Sequence, residues 1–146
     1  MKNVKFQFHR GEAKISKLIR FFSRGEYNHV SIRTHRYIYE AHIKQGVIKT
    51  PINKWDDSTV VITTKISVSN AGYTNMIKFL NEQVGKKYDI MGILSFFFIL
   101  LPPRKGYWYC SELASVALEK AKIKDGMLDN RKISPQMFFD ILNLVV

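Results

Sequence analysis

The stretch "NHVSIRTHRYIYEAHI", residues 28–43, decides the architecture. Its two halves, 28–34 and 37–43, are rich in β-branched and aromatic residues and read as strands. If they fold back on each other around Thr34 and His35, opposed residue numbers sum to 69 and His29 stands directly across from Glu40. Cross-strand neighbours bring their Cβ atoms to about 4.5–5.5 Å, close enough for a carboxylate to accept an imidazole N–H and fix its tautomer. In the same register Val30 and Ile32 oppose Tyr39 and Tyr37 on the other face, which supplies a core. A one-residue slip would separate histidine from glutamate, and Thr-His is not a favoured two-residue turn.

Further strands read outward from this pair. "VKFQFH" (4–9) alternates and reads as a first strand, while "GVIKTPI" (46–52) and "TVVITTKIS" (59–67) are β-rich and continue the pair at 28–43 into a predicted antiparallel meander. Helices are expected where apolar residues recur at helical spacing. In 11–25 these are Ile15, Leu18, Ile19 and Phe22, closed by Gly25; in 70–85 they are Met76, Ile77, Leu80 and Val84, with Asn70 as N-cap and Gly85 as the stop. "SPQMFFDILNL" from Ser134 carries an N-cap serine and a proline at the first helical position. Helices and strands segregate, so the class is α+β: an antiparallel meander sheet packed against helices, in one domain spanning residues 1–146.

Composition narrows the function. Hydrophobic residues make up 46% and charged residues 24% of the 146, the balance of a globular protein. One cysteine cannot form an internal disulfide, and "MKNVKFQFHRGEAK" has no apolar signal core, so the chain is expected in the cytoplasm. "GILSFFFILLPP" (92–103) is far shorter than the roughly 20 apolar residues that span a bilayer; it reads as core or as an apolar lip beside a lipid-like substrate. Lys and Arg number 23 against 12 Asp and Glu, for a formal charge of +11, and residues 1–50, with 11 basic and 3 acidic side chains, hold +8 of it. That field attracts an anionic surface or polymer. No helix-turn-helix, zinc-finger spacing or RNP-like strand pair is visible, so specific nucleic-acid recognition is not expected.

The only cysteine, Cys110, opens "CSELASVALEK", with Ala114, Ala117, Leu118 and Ala121 following on one apolar stripe. The three alanines allow this helix to approach a sheet closely. A helix N-terminus stabilises a thiolate by about 0.3–1 kcal/mol, whereas an imidazolium about 4 Å away contributes roughly 4 kcal/mol at an effective dielectric near 20. The thiol therefore needs a histidine to be reactive. Cys110, His29 and Glu40 make nucleophile, base and orienter, with amides at the start of the helix as oxyanion donors. His9 and His35 read as exposed strand or turn residues, and His42, on Glu40's face, is a reserve base or orienter. A lone cysteine and scattered histidines show none of the paired spacings of a zinc site, and no cofactor is expected.

"NHVSI", "YIYEA", "VGKKYDI", "YWYCSELASVAL" and "ISPQMFF", read in that order, resemble the circularly permuted branch of the NlpC/P60 cysteine peptidase superfamily, which includes YiiX-like proteins and poxvirus relatives. The resemblance runs from about residue 26 to 140. It implies a papain-like fold in which histidine precedes cysteine, with His29 as base, Glu40 as its orienter, Cys110 as nucleophile and Tyr88 bordering the substrate. The activity implied is a thiol hydrolase, an amidase or peptidase, working through a thioester on a peptide, acyl-amide or lipid-like substrate. A lipid acyltransferase or phospholipase-type enzyme and a non-catalytic basic binding module are the alternatives.

Overall fold

The computed structural model describes residues 1–94, 105–123 and 133–145. Their order along the chain is β1 (Lys2–His9), α1 (Lys14–Ser23), β2 (His29–Arg33), β3 (Tyr37–His42), β4 (Gly46–Pro51), a 3₁₀ turn (Ile52–Lys54), β5 (Val60–Val68), α2 (Asn70–Gln83), α3 (Ile90–Leu94), α4 (Cys110–Lys120) and α5 (Pro135–Val145). The class is α+β, with a five-stranded antiparallel sheet in the order β4-β3-β2-β1-β5. The apolar run at 92–103 lies mostly outside the described residues, as do the side chains of Ile15, Leu18 and Phe22. No described helix is long and apolar enough to cross a membrane.

The predicted meander holds from β2 to β4 and fails at β5, which crosses back to pair with β1 from Lys2↔Val68 to His9↔Val60. Two local features explain the crossing. The outer edge of β4 is already engaged, since Val47 N–H donates to the Lys86 carbonyl at 2.8 Å and Gly85 N–H to the Val47 carbonyl at 2.9 Å. The 3₁₀ turn after β4 then carries the chain away. β1, whose Val4, Phe6 and Phe8 are fully buried, becomes an interior strand with a partner on each edge, as β2 and β3 are.

The hairpin register also departs from the predicted one. Ile32 pairs with Tyr39 and Arg33 with Ile38, so opposed numbers sum to 71 rather than 69. The turn is His35-Arg36, closed by Thr34, whose backbone N–H and hydroxyl both donate to the Tyr37 carbonyl, at 2.9 and 2.8 Å, while its hydroxyl oxygen accepts from Tyr37 N–H at 3.2 Å. A threonine closing its own turn is the signal that pure strand pairing overlooks. Because the slip is by two residues and side chains alternate with period two, each side chain keeps its expected face.

The helices cover the face formed by Phe6, Phe8, Val30, Ile32, Tyr39 and Ala41. α4 lies over β2 and β3 with α2 and α5 beside it, burying Ala114, Ala117, Leu118 and Ala121 as the stripe requires. From α5, the Phe138 ring stands edge-on to Phe6 at 5.2 Å and tilted to Phe8 at 6.1 Å. Burying each such ring stabilises the fold by about 1.5–3 kcal/mol. Ser134 caps α5 as read, accepting from Met137 N–H at 3.1 Å. Three helix-end assignments change. The cap of α2 is Ser69, which accepts from Gly72 N–H, in place of Asn70; Arg24 takes the left-handed conformation after α1, in place of Gly25; and Val84 leaves the helix, 41% exposed.

Gly46 connects this scaffold to the segment that follows α2. It has φ +73°, and a Cβ there would collide with the Lys86 carbonyl oxygen, the group that docks residues 85–88 onto β4. Gly46→Ala should destabilise the protein by about 2 kcal/mol or more through strain and displacement of that segment. Urea unfolding would measure the loss; an unchanged midpoint would contradict it.

Candidate active site

α4 begins at Cys110 with Tyr109 as N-cap, and Tyr109 makes no side-chain cap bond. Capping comes instead from Glu112 in the first turn, whose carboxylate accepts from the Tyr109 backbone N–H, the reciprocal half of a capping box. The Ser111 hydroxyl donates to the Ile133 carbonyl, and Ile133 N–H donates to the Tyr109 hydroxyl at 3.3 Å, so the helix start is tied to the chain entering α5. These bonds hold Cys110 in place. It is 4% exposed.

His29 opens β2 and meets this helix end. Its Nε2 lies 2.6 Å from Glu40 Oε2, so the predicted histidine–glutamate pair forms despite the slipped register. Counted on from Ile32↔Tyr39, Glu40 faces Ser31 and His29 stands diagonal to it, a separation that long side chains bridge. With Nε2 donating to the carboxylate, Nδ1 is the nitrogen left for the thiol. Burial acts to lower the His29 basicity, but the negative charge of Cys110 and its hydrogen bond to the ring, reinforced by the hydrogen bond and charge of Glu40, outweigh it. The imidazole is raised well above its usual range. The three residues singled out by sequence are thus brought together, with histidine between thiol and carboxylate.

Tyr88 joins them through a pairing too short to read from sequence. Residues 87–89 and 108 form a parallel bridge: Trp108 N–H donates to the Lys87 carbonyl at 3.1 Å and Asp89 N–H to the Trp108 carbonyl at 3.0 Å. This sets the Tyr88 phenol beside Cys110. Burial first, then the charges of Cys110, Tyr109 and Asp89, push its ionisation well above the ordinary tyrosine value, so it keeps its proton and remains a donor. His29, Glu40 and Tyr88 line a cleft of about 530 Å³, together with Trp55, Ile43 and Lys44. Cys110 does not itself line the cleft, but its neighbours His29 and Tyr88 do.

His9 overturns its expected place on the surface. It is buried, its ring 5.0 Å from that of His29, with Nε2 2.9 Å from the Ser31 hydroxyl and Nδ1 3.0 Å from the Thr59 hydroxyl. The cause is topological, since β1 is interior and the end of its second face, at Gln7 and His9, is covered too, with Trp55 edge-on to the His9 ring. Burial, then the His29 charge, lower His9 to about 3. His35 is exposed in the turn as expected, and His42, at the end of β3, receives a hydrogen bond from Lys44 N–H. Glu112 reads from sequence only as a first-turn acid suited to the positive end of the helix, and Asp89 does not stand out. Burial, then the charge of nearby Asp89, push Glu112 up to about 7, against the Tyr109 N–H that holds it down. Among the described residues no group of three or more His, Cys, Asp and Glu is placed to hold a metal ion.

The two imidazoles, 5.0 Å apart, should titrate in opposite directions. His29 is expected to keep its proton well above pH 6.5, the ordinary imidazole value, and His9 to stay neutral through pH 5. Replacing Cys110 with alanine removes the main charge that favours the imidazolium, so the His29 midpoint should fall. NMR titration of the ring nitrogens would check this, and a His29 midpoint indifferent to Cys110→Ala would refute it. Among protein-family models none matches this sequence, and no curated protein matches it at a significant level.

Proposed function

We propose that this chain is a cysteine hydrolase, an amidase or peptidase of papain-like form, whose His-before-Cys order is that of the circularly permuted NlpC/P60 enzymes it resembles. One observation carries the reading: the His29 ring is bonded at 2.6 Å to Glu40 while its charge is stabilised by Cys110. An imidazolium between a carboxylate and a thiolate is the resting state of an activated thiol nucleophile.

The mechanism follows from the positions. Cys110 Sγ attacks the substrate carbonyl, and the electron pair of the C=O bond moves to oxygen. Amides at the start of α4 and the protonated Tyr88 phenol are the donors for that oxyanion. His29 Nδ1 then gives its proton to the leaving amine or alcohol, the C–N or C–O bond breaks, and a thioester remains on Cys110. Water, deprotonated by the now neutral His29, attacks the thioester; the acid departs and the thiolate–imidazolium pair is restored. Glu40 holds the ring in the Nε2–H tautomer throughout. The cleft, with aromatic and aliphatic walls and Lys44 at its rim, suits an acyl group with an apolar portion.

Acyl p-nitrophenyl esters and short acyl-amides, followed by intact-protein mass spectrometry, test this directly. Wild type should gain one acyl group on Cys110, and Cys110→Ala should gain none while unfolding at nearly the same temperature. Glu40→Gln, which keeps shape but loses charge, should slow acylation by about 10²–10⁴-fold. If iodoacetamide modifies Cys110 no faster than a cysteine in an unfolded peptide at the same pH, the hydrolase reading fails.

A further inference from the structure

A second cavity, of about 710 Å³, opens at the other end of the sheet, where the β2–β3 turn approaches Tyr73 and Ile77 of α2. Lys2, Lys5, Arg33, Arg36 and Lys49 line it, and no Asp or Glu does. None of these five has a carboxylate within ion-pair distance among the described residues, where the ion pairs are Lys17–Glu12 and His29–Glu40. Strand register adds to the concentration of charge. Lys5 stands between Arg33 of β2 and Lys65 of β5 as cross-strand neighbours, an arrangement that destabilises a sheet unless an anion offsets it.

Lys49 is held in position. Its Nζ lies 4.2 Å from the centroid of the Tyr37 ring and 5.6 Å from that of Tyr39, and donates at 2.9 Å to Asn81 Oδ1, which also accepts the Tyr39 hydroxyl at 3.0 Å. One of three ammonium donors is thereby used, and the group is oriented in advance. Two arginines supply planar forks that match phosphate oxygens, and the tyrosine walls with Ile52 offer apolar surface to whatever carries the anion. The volume falls in the range of small-molecule sites, about 300–1,000 Å³.

We propose that this cavity binds a phosphate group carried on an organic body, at a site separate from the thiol. Arg33 is four residues along β2 from His29, roughly 13 Å at about 3.3 Å per residue, so a ligand here does not touch Cys110. The proposal does not depend on the hydrolase reading.

Pyrophosphate titrated by calorimetry, and cosedimentation with phosphatidylcholine vesicles with or without phosphatidylinositol 4-phosphate, test it on the full chain. Saturable pyrophosphate binding is expected, with NMR shifts at Arg33, Arg36 and Lys49. Arg36→Gln and Lys49→Gln should each weaken it about tenfold or more, the loss of one charge-assisted contact. Iodoacetamide labelling of Cys110 should be unchanged in both variants, which separates this site from the thiol site. Sedimentation only with the phosphoinositide vesicles, competed by pyrophosphate, would identify a lipid headgroup as the source of the phosphate; pyrophosphate binding without sedimentation would identify a free phosphorylated compound. Absence of saturable binding to either probe, binding indifferent to both substitutions, or a single-stranded oligonucleotide binding through these residues where pyrophosphate does not, would overturn the proposal.

Discussion

The 2.6 Å hydrogen bond from His29 Nε2 to Glu40 Oε2 is the constraint on which the rest of the site depends. It commits one ring nitrogen to a carboxylate and so decides which nitrogen meets Cys110. It also requires β2 and β3 to lie side by side with both residues on one face, which makes the hairpin part of the site. The thiol is delivered independently, by a helix whose alanines let it settle on those two strands. Strand pairing and helix docking thus converge on one imidazole, and the charges on either side of it favour the protonated form against the effect of burial.

Charge at this end of the sheet is divided with care for distance. Two imidazoles whose centroids are 5.0 Å apart cannot both be cationic in a buried setting without a large mutual penalty. Their partners resolve the conflict: His29 has the Glu40 carboxylate and the Cys110 side chain, both of which favour its protonated form, while His9 has the hydroxyls of Ser31 and Thr59, which serve a neutral ring equally well. A similar division operates behind the thiol. There Asp89 and Glu112 lie close enough to disfavour a double negative charge, and it is Glu112 whose basicity rises.

Much of this was legible in the sequence, for identifiable reasons. Period-two alternation survives an even slip in register, so the shared face of His29 and Glu40 could be read even though the pairing itself was wrong by two residues. The spacing of Cys110, Ala114, Ala117 and Leu118 needs only helical periodicity, and all four are buried. The hidden parts depend on contacts between distant segments. Nothing local in "VKFQFH" distinguishes an interior strand from an edge strand, so His9 could not be recognised as buried. The bridge that sets Tyr88 beside Cys110 is too short to leave a pattern. The crossing of β5 was invisible for a related reason, because the edge it avoids is occupied by residues 85 and 86, far along the chain.

The return of β5 to β1 has a bearing on how the molecule is made. On the ribosome β1 emerges before both of its partners, and its longest pairing waits for residues 60–68. At about 5–20 residues per second that interval is several seconds, during which β1 can pair along one edge with β2 while the other stays open. The cysteine follows still later in translation, so the nascent polypeptide can assemble its imidazole–carboxylate pair well before Cys110 is made.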